Sequence, residues 1–191
     1  MPVQIGSKAH GFSDPTGLLS DCHRRIEMFM QVLEGVAKTM DSPPGEETRQ
    51  SLAKALAYFR EAAPKHTADE EQSLFPRLRT LQSPQLASAF AKLEELEADH
   101  RWSEPLHLGI ERLGQEYLSK GRLSEAQIAR FRDAVSKLSR MYLRHIAVED
   151  NILFPAAESV LSDRDKQVIA EEMAKRRALP LVSGARWDQG F

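Results

Sequence analysis

The stretch His66-Thr-Ala-Asp-Glu70-Glu-Gln-Ser-Leu-Phe-Pro76 occurs a second time in the chain, as His145-Ile-Ala-Val-Glu149-Asp-Asn-Ile-Leu-Phe-Pro155. Both copies read H-x-A-x-E-[ED]-x-x-L-F-P. A further histidine with an acidic residue close by stands upstream of each copy at nearly the same distance, in Asp21-Cys22-His23 and in Asp99-His100. Because a motif repeated in register indicates a shared structural unit, the sequence predicts a duplicated helix pair.

Helix-forming residues predominate along the chain, while proline and glycine cluster at a few places, which favours an all-α protein. Between these breaks apolar residues recur at helical spacing, and proline or capping-box signals mark the helix starts. Pro64 is predicted to kink its helix rather than end it, because the apolar period resumes after it. The predicted helices run from Asp14-Pro15 to just before Asp41, from Glu46 to about Arg79, from Ser83-Pro84 to near Lys120, from the capping box at Ser124 through Ile152, and, for a shorter fifth helix, from the capping box at Ser162 to about Arg177.

Four long helices joined by short connections imply antiparallel neighbours, so the predicted fold is an all-α, antiparallel up-down four-helix bundle. We expect this bundle over residues 14–160, after an N-terminal leader of residues 1–13. A short helix and an irregular tail are expected over residues 161–191. In the leader His10 is expected to be solvated, and in the tail Trp187 and Phe191 are expected to form a loosely docked arm.

Charge and cysteine content exclude several classes of function. The chain has 26 Lys and Arg against 28 Asp and Glu, so no strong positive field favours nucleic acid or anionic lipid as a partner. No apolar run reaches the length of a membrane span, and no signal segment opens the chain, which together with the single cysteine predicts a cytoplasmic protein. Cys22 is interpreted as a small core residue, and any metal site must use nitrogen and oxygen ligands.

The repeated motif places its histidine and its glutamate on one face of a helix, because four residues are little more than one helical turn. The apolar stripes of the same helices continue through His66 and Glu70 and through His145 and Glu149, so these side chains are predicted to face the core. Burying imidazoles and carboxylates together is costly unless a cation compensates them. Imidazole with carboxylate suits iron, with manganese or zinc as alternatives.

The motif and its upstream histidines resemble the hemerythrin-like (HHE cation-binding) domain, over about residues 14 to 160. The resemblance implies two iron ions, bridged by two carboxylates and an oxo or hydroxo group, inside an antiparallel four-helix bundle. On this resemblance Glu70 and Glu149 are the bridging carboxylates. The terminal ligands would be His23, His66, His100 and His145.

One position departs from the resemblance. Oxygen-carrying hemerythrins have a further histidine four residues after the third-helix ligand, where this chain has Glu104, followed by Pro105. Glu104, His107 or a water molecule would complete the second iron site, and Glu104 is the favoured ligand. A ferritin-like di-iron protein is a weaker alternative, because its Glu-x-x-His motif occurs once, ending at His100.

The leading functional hypothesis is a non-haem di-iron protein that binds or senses dioxygen or a related small oxidant. A di-iron enzyme that decomposes peroxide or reduces a small oxidant is an alternative at the same centre. Iron storage, repair of other iron centres, and a metal-free helical interaction module are further alternatives. No nucleophilic triad, phosphate-binding glycine loop or paired-cysteine motif indicates another chemistry.

Overall fold

The computed structural model of the protein describes residues 14–81 and 83–178. The expectations for the leader with His10, and for Trp187 and Phe191 in the tail, lie outside the described residues. Within the described residues every regular element is helical, and no strand occurs. The elements are α1 (Pro15–Thr39), α2 (Glu46–Glu61), α3 (Ala63–Asp69), the π-helical segment π1 (Glu70–Leu74), α4 (Phe75–Thr80), a 3-10 turn (Pro84–Leu86), α5 (Ala87–Lys120), α6 (Glu125–Val148), the π-helical segment π2 (Glu149–Leu153), α7 (Phe154–Val160) and α8 (Asp163–Arg176).

These elements form four long helical units and a short fifth helix, which confirms the predicted all-α bundle. The first unit is α1 and the third is α5. The second unit joins α2, α3, π1 and α4 end to end, and the fourth joins α6, π2 and α7. In the part of the chain that the structure describes, no helix combines the length and the apolar character needed to cross a bilayer.

Side-chain contacts between α1 and the fourth unit show that they run in opposite directions. Near the start of α1, His23 Nδ1 lies 2.9 Å from Asp150 Oδ1, while near its end the carbonyl of Ala37 accepts a hydrogen bond from Arg132 Nε at 2.7 Å. The second and third units show the same reversal, since Arg49 donates to the carbonyl of Leu118 and Arg60 pairs with Glu111. The bundle is therefore antiparallel, as short connections require.

A layer of buried polar side chains divides the apolar core into two clusters. One cluster lies toward the α1–α2 and α5–α6 connections and includes Leu33, Leu56 and Phe131. The other lies at the opposite end and includes Leu19 and Phe75. The apolar clusters exclude water from both sides of the polar layer.

Local sequence signals account for most helix boundaries. The predicted capping boxes at Ser124 and Ser162 are both present. The second unit is interrupted at Ala62, between α2 and α3 and two residues before Pro64, and its helix resumes at once. This break is expected because proline lacks a backbone N–H. The third unit differs from its prediction, because Pro84 opens a 3-10 turn and the α-helix proper begins at Ala87.

The fifth helix docks on the second unit through a buried ion cluster. Asp69 is fully buried and pairs with Arg176 at 2.8 Å and with Arg177 at 2.5 Å. A second pair joins Arg77 to Glu172 at 2.9 Å. These contacts fix α8 beside the helix segment that carries His66 and Glu70.

Candidate metal centre

Each of the four long helical units places one histidine in the polar layer, and the second and fourth units each add a glutamate. All four imidazoles point inward because they continue the apolar stripes of their helices. Glu70 and Glu149 are fully buried, and His23, His66 and His145 are at most 4% exposed. The structure thus brings together six of the seven predicted ligands, which are His23, His66, Glu70, His100, His145 and Glu149.

The six side chains form two overlapping groups of potential ligands. One group consists of His23, His66, Glu70 and Glu149, and the other of His100, His145 and the same two glutamates. Within each group the donor atoms lie within 4.8 Å of one another. Two glutamates shared by two histidine pairs are the arrangement expected for two cations held side by side by bridging carboxylates.

The individual distances show how the glutamates are shared. Glu149 Oε2 lies 3.0 Å from His23 Nε2 and 3.2 Å from His145 Nε2, so one oxygen faces both groups. Glu70 divides its oxygens, with Oε1 3.1 Å from His66 Nε2 and Oε2 3.4 Å from His100 Nε2. The Nε2 atoms of His100 and His145 are 3.2 Å apart. All these atoms therefore converge on one small volume.

Unsatisfied polar atoms are concentrated in this volume. Both oxygens of Glu70, both oxygens of Glu149 and Nε2 of His23 are buried without a hydrogen-bond partner among the residues described. Leaving so many buried polar atoms unpaired would cost several kcal/mol, whereas cations bound between them would satisfy all of them. Nitrogen and carboxylate donors suit iron, manganese or zinc, so the residues present fit a pair of such ions.

Acidic residues contact three of the four imidazoles at Nδ1, the ring nitrogen that faces away from the cluster. Nδ1 of His23 lies 2.9 Å from Asp150, Nδ1 of His100 lies 2.9 Å from Glu71, and Nδ1 of His145 lies 3.3 Å from Asp99. Such contacts fix the ring orientation and leave Nε2 free to bind a metal. Asp150 directly follows Glu149 and Glu71 directly follows Glu70, so each repeat orients a histidine of the other repeat.

His66 differs from the other three histidines. Its Nδ1 atom is buried and finds no hydrogen-bond partner in the described part of the chain. By the register of the repeat, the residue equivalent to Asp99 is Cys22, which cannot supply a carboxylate. Asp21, the acidic residue next to Cys22, pairs with Arg24.

When no cation is bound, protons balance the buried charges, and the pKa shifts differ from one side chain to the next. Burial alone would lower the pKa of His23, but its contacts with Asp150 and Glu149 outweigh this effect and raise the pKa to about 9. Burial would raise the pKa of Glu149, yet the contacts with His145 and His23 hold it well below its usual range. Burial and the nearby charge of Glu149 raise the pKa of Glu70 well above its usual range. These shifts favour an ionised Glu149 beside the protonated imidazole of His23, and a protonated Glu70.

Glu104 is the one predicted ligand that the structure does not bring into the cluster. It belongs to neither ligand group, and its side chain is exposed on α5. At the same level of the bundle the interior is occupied by His107 and Tyr142, whose Nε2 and hydroxyl oxygen are 2.8 Å apart. His107 is thus engaged with Tyr142 and lies outside both ligand groups as well.

Glu70 and Glu149 each begin a π-helical segment, a feature that sequence reasoning missed. The N–H of Phe75 donates to the carbonyl of Glu70, five residues earlier, and Phe154 donates to Glu149 in the same way. Prolines follow at once in both copies of the motif, and a proline ring clashes with the carbonyl four residues before it in a regular α-helix. The repeated Leu-Phe-Pro is the signal that marks these wider turns, which are frequent at functional sites.

Comparison with known proteins agrees with this geometry. The family model described as "Hemerythrin HHE cation binding domain" matches residues 14–157. A protein of Haemophilus influenzae, described only as uncharacterized, is 26% identical over 167 residues, which cover 87% of this chain and 91% of that protein. The matched region contains all six converging ligands.

Proposed function

Since this chain belongs to the hemerythrin HHE cation-binding family, we propose that it is a non-haem iron protein that binds dioxygen or a related small oxidant at a pair of iron ions. The observation that carries the proposal is that Glu70 and Glu149 belong to both ligand groups. A single-ion site would not need two histidine pairs on opposite sides of two shared carboxylates.

The ligand chemistry favours iron over other cations. The donors are four imidazole nitrogens and two carboxylates, and Cys22 belongs to neither group. Structural zinc usually takes thiolate-rich tetrahedral sites, and calcium takes oxygen ligands alone. Iron accepts this mixed set of nitrogen and oxygen donors.

In the proposed arrangement His23 and His66 hold one ion, His100 and His145 hold the other, and the two glutamates bridge them. When bound, two iron ions supply reversible exchange between ferrous and ferric states and an attachment point for an oxidant. Asp150, Glu71 and Asp99 keep three of the rings aimed at the ions. The apolar clusters on either side limit the access of water to them.

The small space beside the ligands favours a small oxidant. A cavity of about 10 Å³ lies against the four imidazoles and is otherwise bounded by residues such as Ala63, Tyr142 and Ile146. A cavity of this volume holds little more than one water molecule. This limit favours an oxidant of a few atoms, such as dioxygen or hydrogen peroxide, over a larger one.

The decisive experiment measures iron content and visible absorption of the protein purified from iron-replete cells. We expect about two irons per chain and the absorption bands of a diferric centre, by analogy of the ligand set with bridged sites. Replacing Glu149 by Gln removes a ligand shared by both ions and should reduce both signals, whereas Glu125→Gln, at the exposed start of α6, should change neither. Negligible iron in the unaltered protein would refute the proposal.

A further inference from the structure

A second cavity lies next to the metal centre and opens to solvent. Its volume is about 390 Å³, and it lies between the α2–α3 part of the second unit and α5. This volume falls within the range of pockets that bind small organic molecules and is far larger than dioxygen needs. We refer to it as the α2–α5 pocket.

The α2–α5 pocket and the small cavity beside the ligands share one wall. Ala63, Thr67, His100 and Tyr142 line both spaces. His100 is one of the six converging ligands. A molecule in the pocket is therefore separated from the metal centre only by the side chains of this wall.

The inner surface of the α2–α5 pocket is apolar and aromatic. Phe59 and the exposed Leu108 contribute to it, with Leu56 and Ile110 almost fully buried beneath them, and the ring of Phe59 stacks on His107 with the centroids 4.9 Å apart. His107 and Tyr142 are uncharged at neutral pH, since burial lowers the pKa of His107 to about 4 and raises that of Tyr142. The interior offers no charge to compensate a charged ligand.

One polar group of the wall is available to a ligand. The hydroxyl of Thr67, which can donate and accept, makes no side-chain hydrogen bond within the part of the chain that the structure describes. It is half-buried, so a ligand in the pocket can reach it. Thr67 can therefore bind a polar head group at the end of the pocket that adjoins His100.

The rim carries charges that do not favour an anion. Two arginines and three glutamates lie there, and Arg60 is already paired with Glu61 at 2.7 Å and with Glu111 at 2.8 Å. Glu71 is likewise engaged with His100. The surplus of carboxylates disfavours negatively charged ligands.

We propose that the α2–α5 pocket binds a small uncharged organic molecule with an apolar body and one hydroxyl-type head, the chemistry shared by alcohols and organic hydroperoxides. The body lies on Phe59 and Leu108, and the head bonds to Thr67 at the wall of the metal centre. This inference goes beyond the proposed function, because it depends on the pocket and not on which cation the ligands hold.

The test compares benzyl alcohol with benzoate, which have rings of the same size and differ in charge. Each is titrated into the purified protein, and binding is followed by saturation-transfer NMR. We expect saturable binding of benzyl alcohol with a Kd of about 1 mM and binding of benzoate at least about tenfold weaker. Ala63→Phe, which fills the pocket at the shared wall, should weaken the binding of benzyl alcohol by about tenfold or more.

Two further variants keep the test decisive. Thr67→Val, which removes only the hydroxyl, should weaken benzyl alcohol about threefold to tenfold, and Thr67→Ser should restore it. Ala37→Phe is the matched control, because it fills a separate groove of about 520 Å³ between α1 and α6. If Ala63→Phe fails to fold by circular dichroism, the Thr67 variants carry the comparison.

Equal affinity for benzoate and benzyl alcohol, or unchanged binding in Thr67→Val, would overturn the proposal. The iron content of every sample is measured in parallel. If protein from iron-replete cells binds benzyl alcohol saturably but contains negligible iron, this inference is supported and the proposed function is refuted. If that protein contains iron but binds neither compound, the proposed function is supported and this inference is refuted. To separate alcohols from hydroperoxides as the natural ligand, cumene hydroperoxide and its alcohol are compared as competitors of benzyl alcohol.

Discussion

Glu70 and Glu149 occupy equivalent positions in the two repeats, yet their protonation differs. His23 and His145, the neighbours of Glu149, both have raised pKa values despite burial, mainly through contact with Asp150 and then Glu149 for His23, and with Glu149 and then Asp99 for His145. For His100, beside Glu70, burial and the charge of His145 together lower the pKa. Glu71 does not offset these two effects at His100, so the centre is charged unequally before a cation arrives, with the protonated imidazole on the side of Glu149.

Replacing Asp150 by Asn tests how far these acids matter. The amide no longer favours the ring orientation or the basicity of His23, and loss of such a supporting group typically weakens metal binding about 10- to 100-fold. The affinity for ferrous iron is measured by competition with a coloured chelator. Asp133→Asn is the matched control, since Asp133 forms an exposed pair with Lys137, and equal losses in both variants would contradict the prediction.

Glu104 provides a second test at the scale of one residue. Because its carboxylate is exposed and outside both ligand groups, Glu104→Gln should leave iron content and visible spectrum unchanged. His100→Gln, one turn earlier on the same helix, should reduce both. A spectral change in Glu104→Gln comparable to that in His100→Gln would place the carboxylate at the iron after all.

The sequence predicted the six side chains that converge, and it also favoured Glu104, which lies outside both groups. The repeat and the helical period determine which side chains face the core, and both can be read from the order of residues. Which side chain fills the interior at the level of Glu104 depends on how α5 packs against α6. There His107 and Tyr142 take the space, and this packing has no signature in either helix alone.

At the scale of elements, the existence and order of the helices followed from their caps and apolar stripes, while their junctions did not. The wide turn π2 is followed by Phe154, whose ring stacks on His23 with the centroids 5.3 Å apart. An apolar pattern that repeats every 3.6 residues does not reveal a single turn that contains more residues. The two Leu-Phe-Pro copies were visible, but their effect on the backbone was not.

The docking of α8 yields a prediction about a helix outside the bundle. Asp69→Asn leaves two arginines beside a neutral amide, and removing one partner of a buried ion cluster typically costs about 3 to 5 kcal/mol. We expect a lower midpoint of thermal unfolding. Amide hydrogen exchange should become faster in α8 before it does so in the other helices. The control is Glu171→Gln on the exposed face of the same helix. Unchanged hydrogen exchange of α8 in Asp69→Asn would show that the ion pairs of Asp69 do not hold this helix in place.

The position of Asp69 also connects α8 to the metal centre. Asp69 lies between His66 and Glu70 in the chain and has no role in either ligand group. The sequence predicted α8 from its capping box, but the partner of its arginines was not predictable because the pairing spans more than 100 residues. Loss of the ion pairs of Asp69 should therefore change the positions of His66 and Glu70 through the backbone of α3.

At the scale of the whole molecule, the polar layer interrupts a core that would otherwise be continuous, so stability should depend on what neutralises it. In the metal-free protein the pKa of His23 is raised from 6.5 to about 9. A group with a raised pKa contributes stability that is complete below its unfolded pKa and is lost as the pH rises through its folded pKa. Glu70, also with a raised pKa, acts in the same direction.

Metal removal should therefore make the protein sensitive to alkaline pH. Between pH 6.5 and 9 the metal-free protein should lose up to about 3 kcal/mol from His23 alone, which corresponds to roughly 10 °C in the unfolding midpoint. In the metal-loaded protein the cations replace these protons, so its midpoint should change little over the same range. The measurement is thermal unfolding by circular dichroism at several pH values, before and after chelation. Asp150→Asn, by lowering the pKa of His23, should flatten the metal-free curve, and parallel curves for loaded and metal-free protein would show that protons and cations do not compete for this layer.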